Sequence, residues 1–251
     1  MTTVKEIYDL MDSVAPFASA EDFDNVGLLI GDFSQPVSRV MIALDGTEEV
    51  LRQAIDAGAE LLVTHHPILF HPVKQLLQDS LPYQFVKSGI SVISAHTNLD
   101  KAPGGVGDAL ARALQLTEIE EIPGTAGIGR VGTLPRPMSD AVFSKWVENQ
   151  LNTKVRYTPI HHEIRRAAVL GGAGDFALSA VADIGADAFV TGESKHHILL
   201  EAISRQISYV DAGHYSTEAV VCPVVAQWIS EAFSSLTVLS AKQSAPFAGG
   251  R

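Results

Sequence analysis

The alternation of apolar and polar positions predicts strands and helices in turn along the chain. Residues 37–45 (VSRVMIALD) are apolar and β-branched, as expected for a strand buried on both faces. Thr47 is a suitable N-cap for a helix whose apolar residues recur at helical spacing, and Gly58 ends that helix. A second buried strand, 60–64 (ELLVT), follows directly. These segments predict a βαβ unit.

The same unit returns later in the chain. The segment around Gly58 (AIDAGAELLVTHH) matches the segment around Gly185 (VADIGADAFVTGE) at an offset of 127 residues, with identical Gly, Ala, Val and Thr positions. At that offset VMIALDG aligns with the apolar segment 167–172. The pattern predicts an α/β protein of two related domains, each with βαβ units. The alternative is that any two βαβ units share this much similarity.

The remaining patterns complete the expected order of elements. Helices are predicted at 72–87 (a pair), 107–114, 139–151, 195–206 and from Ser216 onward, and strands at 90–96, 155–160, 208–213 and 236–242. The glycine-rich segment 125–132 (TAGIGRVG) is typical of a linker. We therefore expect a first domain, carrying the metal ligands, from 1–124 with 207–251, and a second from 125–206.

Composition and charge exclude several classes of protein. The net charge of −11 disfavours binding to nucleic acid, whose affinity comes largely from Lys and Arg. The first twelve residues are too polar for a secretory signal, and no apolar run reaches the ~20 residues of a membrane span. Cys222 is the single cysteine, which suits a reducing cytoplasm, and we interpret it as core packing.

Three predicted strands end in residue types that bind metals. The endings are THHP, SAHTNLD and VDAGHYSTE, and ligands of α/β sheets collect beyond the carboxyl ends of parallel strands. The side chains in question are His65, His66, Asp100, His214 and Glu218.

The spacing of these residues favours two ions. Neighbouring residues of a strand point to opposite faces, so His65 and His66 are each expected to serve a different ion where the strand ends. His214 and Glu218 are one helical turn apart if Ser216 N-caps the following helix. Three imidazoles and two carboxylates suit Zn, Fe, Mn, Ni or Co, and five groups exceed the usual number on one catalytic zinc.

Other histidines and carboxylates receive weaker assignments. His96 and Glu193 are candidates for proton transfer in catalysis, the alternatives being that His96 supports a metal ligand and that Glu193 serves the first turn of a helix. His71, His161 and His162 are interpreted as surface residues, and the roles of His196 and His197 stay open.

These motifs resemble those of the Nif-three-like, or YbgI, family of dinuclear metal-centre proteins, named GTP cyclohydrolase type-two homologues. The resemblance covers nearly the whole chain and includes DNVGLLIGD, VTHHPILF, HTNLD, TGESKHH and GHYSTE. It implies the Nif-three-like fold in a short two-domain subunit, a toroidal homohexamer, and the same five metal ligands. It also implies that Asp24 and Asn25 line the pocket, and that His96 lies close to the ions.

Two functions from different classes fit these features. The first is a metal-dependent hydrolase of a small phosphorylated or heterocyclic substrate, with GTP cyclohydrolase-like activity as one form of it. The second is a metal-binding, interaction or metal-delivery protein without turnover. The chain shows no phosphate loop that would specify a guanine nucleotide.

Overall fold

The structure, a computed structural model, describes residues 1–247 and has the expected α/β architecture. The chain forms two compact units, one of residues 1–103 with 222–243 and the other of residues 104–221 with 244–247. The helices are α1 Val4–Val14, α2 Glu48–Ala57, α3 Leu81–Ser88, α4 Thr97–Lys101, α5 Val106–Ala113, α6 Asp140–Leu151, α7 Leu178–Asp183, α8 His196–Ser204, α9 His214–Glu218 and α10 Cys222–Ala232. The strands are β1 Gly27–Ile30, β2 Arg39–Ala43, β3 Leu61–Thr64, β4 Ser91–Ser94, β5 Thr117–Glu121, β6 Arg130–Met138, β7 Arg156–Tyr157, β8 Ile164–Val169, β9 Ala188–Thr191, β10 Ser208–Asp211 and β11 Thr237–Ser240.

The first unit is built on a largely parallel sheet with the strand order β1-β4-β3-β2-β11. β11, β2, β3 and β4 are parallel, and β1 pairs antiparallel to β4. Thr47 N-caps α2 through its hydroxyl and Gly58 ends the helix in the left-handed conformation, as the sequence predicted. The apolar face of α2 packs on the sheet through Val50, Leu51 and Ala54.

The second unit has a sheet of order β5-β6-β8-β9-β10-β7, in which β8, β9 and β10 are parallel. Alternate residues of each parallel strand pack into two different apolar clusters, one on each face of the sheet. Ala188 and Val190 pack with α5 and α6, whereas Phe189 packs with α7 and α8. A strand covered on both faces needs a continuous apolar run, which explains the sequence AFV.

The parallel strands of the two units have the same register at the predicted offset of 127. Val40 pairs with Leu61 in the first unit, and Ala167 pairs with Ala188 in the second. The carboxylate immediately before the second strand makes equivalent hydrogen bonds in each unit. Glu60 accepts from the backbone N–H groups of residues 38 and 39, and Asp187 accepts from those of residues 165 and 166.

The third parallel strands also correspond, now at an offset of 117. The offset changes because the connection from β3 to β4 is ten residues longer than the connection from β9 to β10. α4 and α9 begin at equivalent positions after β4 and β10, so Thr97 corresponds to His214 and Lys101 to Glu218. The short helices with Asp100 and Glu218 are therefore equivalent elements of two related units.

The boundaries of the units differ from those expected from sequence. Residues 104–124 and 207–221 belong to the second unit, because β5 pairs with β6, and β10 pairs with β9. His214 and Glu218 therefore belong to the second unit, whereas the other predicted ligands belong to the first. The segment 125–132 is no linker between units: Thr125 is buried, its hydroxyl accepts from the Gly129 N–H, and β6 begins at Arg130.

Two helix predictions were wrong in detail. Residues 72–80 are not helical and only α3 forms there, because Pro72 and the exposed Val73, Leu76 and Leu77 provide no apolar face that packs on the sheet. The helix expected to start at Ser216 begins at His214, after Gly213 in a positive-φ conformation, and α10 follows it separately. No helix in residues 1–247 is long and apolar enough to cross a bilayer.

Candidate metal site

His65 is fixed where β3 leaves the sheet of the first unit. It is 2% exposed, and its Nδ1 lies 2.9 Å from the carbonyl oxygen of Ala95, which follows the neighbouring strand β4. A carbonyl oxygen only accepts, so Nδ1 carries the proton and donates it. In the neutral ring Nε2 then bears the lone pair, and it lies 3.6 Å from Oδ1 of Asp100 on α4.

His66 is held in the same manner by a carboxylate. Its Nδ1 lies 2.6 Å from Oδ1 of Asp45, which follows the end of β2, and its backbone N–H donates to the carbonyl of Leu44. The sequence reasoning did not select Asp45. The signal was nevertheless present, since Asp45 follows a predicted parallel strand adjacent to the one that ends in His66.

His96 follows β4 and is held by Asp24. Its Nδ1 lies 2.9 Å from Oδ1 of Asp24, whose other oxygen accepts from the backbone and hydroxyl of Thr97. Burial raises the pKa of the Asp24 carboxyl, but the hydrogen bonds from His96 and Thr97 outweigh it and hold that pKa well below its usual range. Asp24 is therefore a charged anchor for the His96 ring.

The three imidazoles of the first unit form a compact group. The rings of His65 and His66 have centroids 4.9 Å apart, and those of His65 and His96 are 5.1 Å apart. One nitrogen of each ring lies within 4.8 Å of the others. Asp100, at 9% exposure, supplies a carboxylate beside His65.

The second unit holds a histidine between two carboxylates. Nδ1 of His214 lies 2.8 Å from Oε1 of Glu193, and Nε2 lies 3.0 Å from Oε2 of Glu218 one helical turn later. Glu218 is 4% exposed, whereas the side chain of Glu193 is more than half exposed. The predicted i, i+4 pair is therefore present, and Glu193 orients its imidazole.

Glycine backbone lies directly against this pair. A Cβ at Gly172 would lie 2.2 Å from Oε1 of Glu218 and 3.1 Å from Nε2 of His214, and Gly172 has a positive φ of 62°. A Cβ at Gly192 would lie 2.6 Å from the Cα of His214. His214 and Glu218 therefore pack directly against glycine backbone, and a side chain in place of either glycine would collide with them.

The donor arrangement of both units fits a transition metal. Each of His65, His66, His96 and His214 places Nδ1 on an oxygen, so in each neutral ring Nε2 carries the lone pair. Histidines that bind metals usually hydrogen-bond a carboxylate or carbonyl through the other nitrogen. Two donors at ~2.0–2.2 Å from one ion are separated by ~3–3.5 Å, which the 3.0 Å between His214 and Glu218 satisfies.

The other residues that the sequence singled out are exposed or only partly buried. Asn25 is exposed, and its side-chain amide donates to the carbonyl of Leu69 in the loop after His66. The exposed histidines are His71, His161, His162, His196 and His197. Cys222 is only partly buried, at the start of α10.

Comparison with known proteins assigns the chain to a family. The model of the Duf34/NIF3 (NGG1p interacting factor 3) family matches residues 2–246. The chain belongs to the Duf34/NIF3 family. A relative from Clostridium perfringens, named GTP cyclohydrolase 1 type 2 homolog, is 31% identical over 243 residues, which are 92% of this chain and 93% of that protein.

Solved structures of similar proteins share the fold. A Bacillus cereus protein related to NIF3 matches with a TM-score of 0.93 at 24% identity, over 100% of this chain and 99% of that one. The Staphylococcus aureus protein SA1388 matches with a TM-score of 0.90 at 27% identity, over 99% of each chain. The Nif-three-like fold expected from the sequence motifs is thereby confirmed.

Proposed function

We propose that this protein is a metal-dependent hydrolase of a small substrate. The observation that supports it is the common orientation of four histidines, each with Nδ1 on an oxygen and the lone pair on Nε2. Unrelated surface histidines would not be expected to share this orientation. Here the same orientation occurs in both units of the chain.

The metal ligands in this proposal are those that the motifs predict. The first unit supplies His65, His66 and Asp100, and the second supplies His214 and Glu218. Five such groups exceed the count of one catalytic ion, which supports two divalent ions of Zn, Fe, Mn, Ni or Co. Bound ions of this kind lower the pKa of water and polarise a substrate oxygen.

The remaining polar residues either position a metal ligand or transfer a proton. Asp45 and Glu193 are positioning residues, because their carboxylates fix the rings of His66 and His214 through Nδ1. His96 is the proton-transfer residue: Asp24 holds its Nδ1–H, so the lone pair of Nε2 accepts the proton of the attacking water and passes it to the leaving group. For Glu193, the contact with His214 favours positioning over direct proton transfer.

The test is hydrolysis by the metal-loaded full chain incubated with a metabolite extract, in which the compounds that disappear are identified by mass spectrometry. His96→Gln should retain its metal and lose hydrolysis by about 10²–10⁴-fold, the range for a general acid. His161→Gln, in an exposed loop, is the matched control and should keep both.

Three results would contradict the proposal. Hydrolysis that persists in a strong chelator would exclude a role for metal. Loss of metal in step with activity in His96→Gln would make His96 a structural support. Stable metal binding with no compound consumed would favour the metal-delivery function instead.

A further inference from the structure

A cleft of about 820 Å³ in the second unit borders the candidate metal ligands. Its walls come from the end of α6 and the segment after it, from the residues on either side of His214, and from residues 245–247. Both His214 and Glu193 line it. Small-molecule sites typically have volumes of ~300–1,000 Å³, so the cleft is large enough for a metabolite.

The carboxylates that line this cleft are already engaged. Asp211 is 6% exposed and accepts from Arg156, from the Ser194 hydroxyl and from the Gly213 N–H. Glu193 is paired with His214. Glu148 accepts from Lys145, which lies outside the cleft lining, and from a backbone N–H. Each of these three carboxylates already has a partner within the protein. None of them therefore calls for a positively charged ligand.

Among the described residues that line the cleft, the cations Lys154 and Arg156 retain hydrogen-bond donors. Lys154 has a side chain that is 74% exposed, and its nearest carboxylate, Glu148, is 3.9 Å away. Arg156 is 54% exposed, and its contacts with Asp211 and Ser194 use one of its two terminal nitrogens. An arginine has five N–H donors, so most of them face the cleft or solvent.

Arg156 is also held rigidly relative to the metal ligand. It pairs with Asp211 across β7 and β10, and Asp211 in turn accepts from the N–H of Gly213, the residue before His214. An arginine that is fixed in place by a buried carboxylate binds an anion with little loss of conformational freedom.

We propose that Lys154 and Arg156 bind the phosphate group of an organic phosphate, whose other end lies at His214. This inference rests on the proposed function and names its substrate class: a phosphomonoester or related small phosphate, and not a neutral heterocycle. A planar guanidinium and a neighbouring ammonium together match the oxygens of a phosphate dianion.

The test is isothermal titration calorimetry, which measures the affinity of the full chain, as purified, for phenyl phosphate. Phenol and benzoate are the comparison ligands. Binding of phenyl phosphate should weaken by about tenfold in Arg156→Met and in Lys154→Met, as for loss of a charge-assisted hydrogen bond. Arg205→Met is the control, since Arg205 is paired with Glu201 on α8 outside the cleft, and it should bind as the wild type does.

Lys154→Met keeps the test decisive if Arg156→Met is unstable, because Lys154 is largely exposed and makes no short ion pair. Unchanged binding in a folded Lys154→Met would overturn the inference, as would benzoate binding as tightly as phenyl phosphate. Metal content is measured on the same samples. Phosphate binding that depends on both cations, in a metal-loaded protein that consumes no compound of the extract, would leave the inference standing while the proposed function fails.

Discussion

Asp45 orients His66: its Oδ1 lies 2.6 Å from Nδ1 of the imidazole, at the ends of adjacent parallel strands. Asp45→Ala should therefore lower metal affinity by about 10–100-fold without removing a metal ligand, as is typical for a carboxylate that supports a ligating histidine. Competition titration with a metal chelator measures this change. Asp56→Asn, an exposed carboxylate on α2, is the control and should leave the affinity unchanged.

The variant Gly172→Ala tests whether the close packing of Gly172 against Glu218 matters for metal binding. Gly172→Ala should displace the carboxylate that lies 2.2 Å from the added Cβ, and should reduce the metal bound at His214 and Glu218. The positive φ should itself cost about 1–2 kcal/mol of stability. Metal content and thermal unfolding are measured together.

Gly185→Ala separates these two effects. Gly185 has a nearly equal φ of 66° but nothing within 4 Å of an added Cβ. It should lose similar stability and keep its metal. Equal metal content in the two variants would show that Gly172 has no role beyond its backbone conformation.

Glu60 should make the stability depend on pH. Burial raises the pKa of Glu60, but hydrogen bonds from Arg39 and Ser38 outweigh it and lower that pKa. A lowered folded pKa contributes stability above the unfolded pKa of about 4.3, and this contribution is lost as the pH falls through the folded value.

Glu60→Gln should accordingly lower the free energy of unfolding by about 1 kcal/mol at pH 7, a small value because the group is only partly buried. The difference from the wild type should vanish in acid. Chemical denaturation at several pH values checks this, with the exposed Glu121→Gln as control. A difference that stays constant from pH 7 to acid would contradict the role given to the charge.

Much of the fold was predictable because it depends on local patterns. The buried strands, the cap of α2 at Thr47 and the stop at Gly58 follow from neighbouring residues, and the repeat around Gly185 follows from the same signals. The i, i+4 pair of His214 and Glu218 was also predictable, although the residue that starts its helix was not.

The partners of the histidines were harder to predict because they are distant in sequence. Asp24 and His96 are 72 residues apart, and Arg156 and Asp211 are 55 apart. No local periodicity reports such contacts. The division into units failed for the same reason, since the pairing of β9 with β10 and not the composition of the 125–132 segment decides where residues 207–221 belong.

The family resemblance predicts a homohexamer, and this can be tested independently of metal. Six copies of a 26.8 kDa chain give a particle of about 161 kDa by light scattering. A stable monomer of 26.8 kDa at micromolar concentration would contradict the prediction.

The metal content per chain, measured by elemental analysis after reloading with Zn, Mn and Fe, tests the central claim most directly. The wild type should hold up to two ions, since five donors overfill one site. Glu218→Gln should lower the occupancy of both ions, and His65→Ala should mainly empty one, while His161→Ala should match the wild type. A metal content near zero in the reloaded wild type, or the same content in all four proteins, would contradict the account.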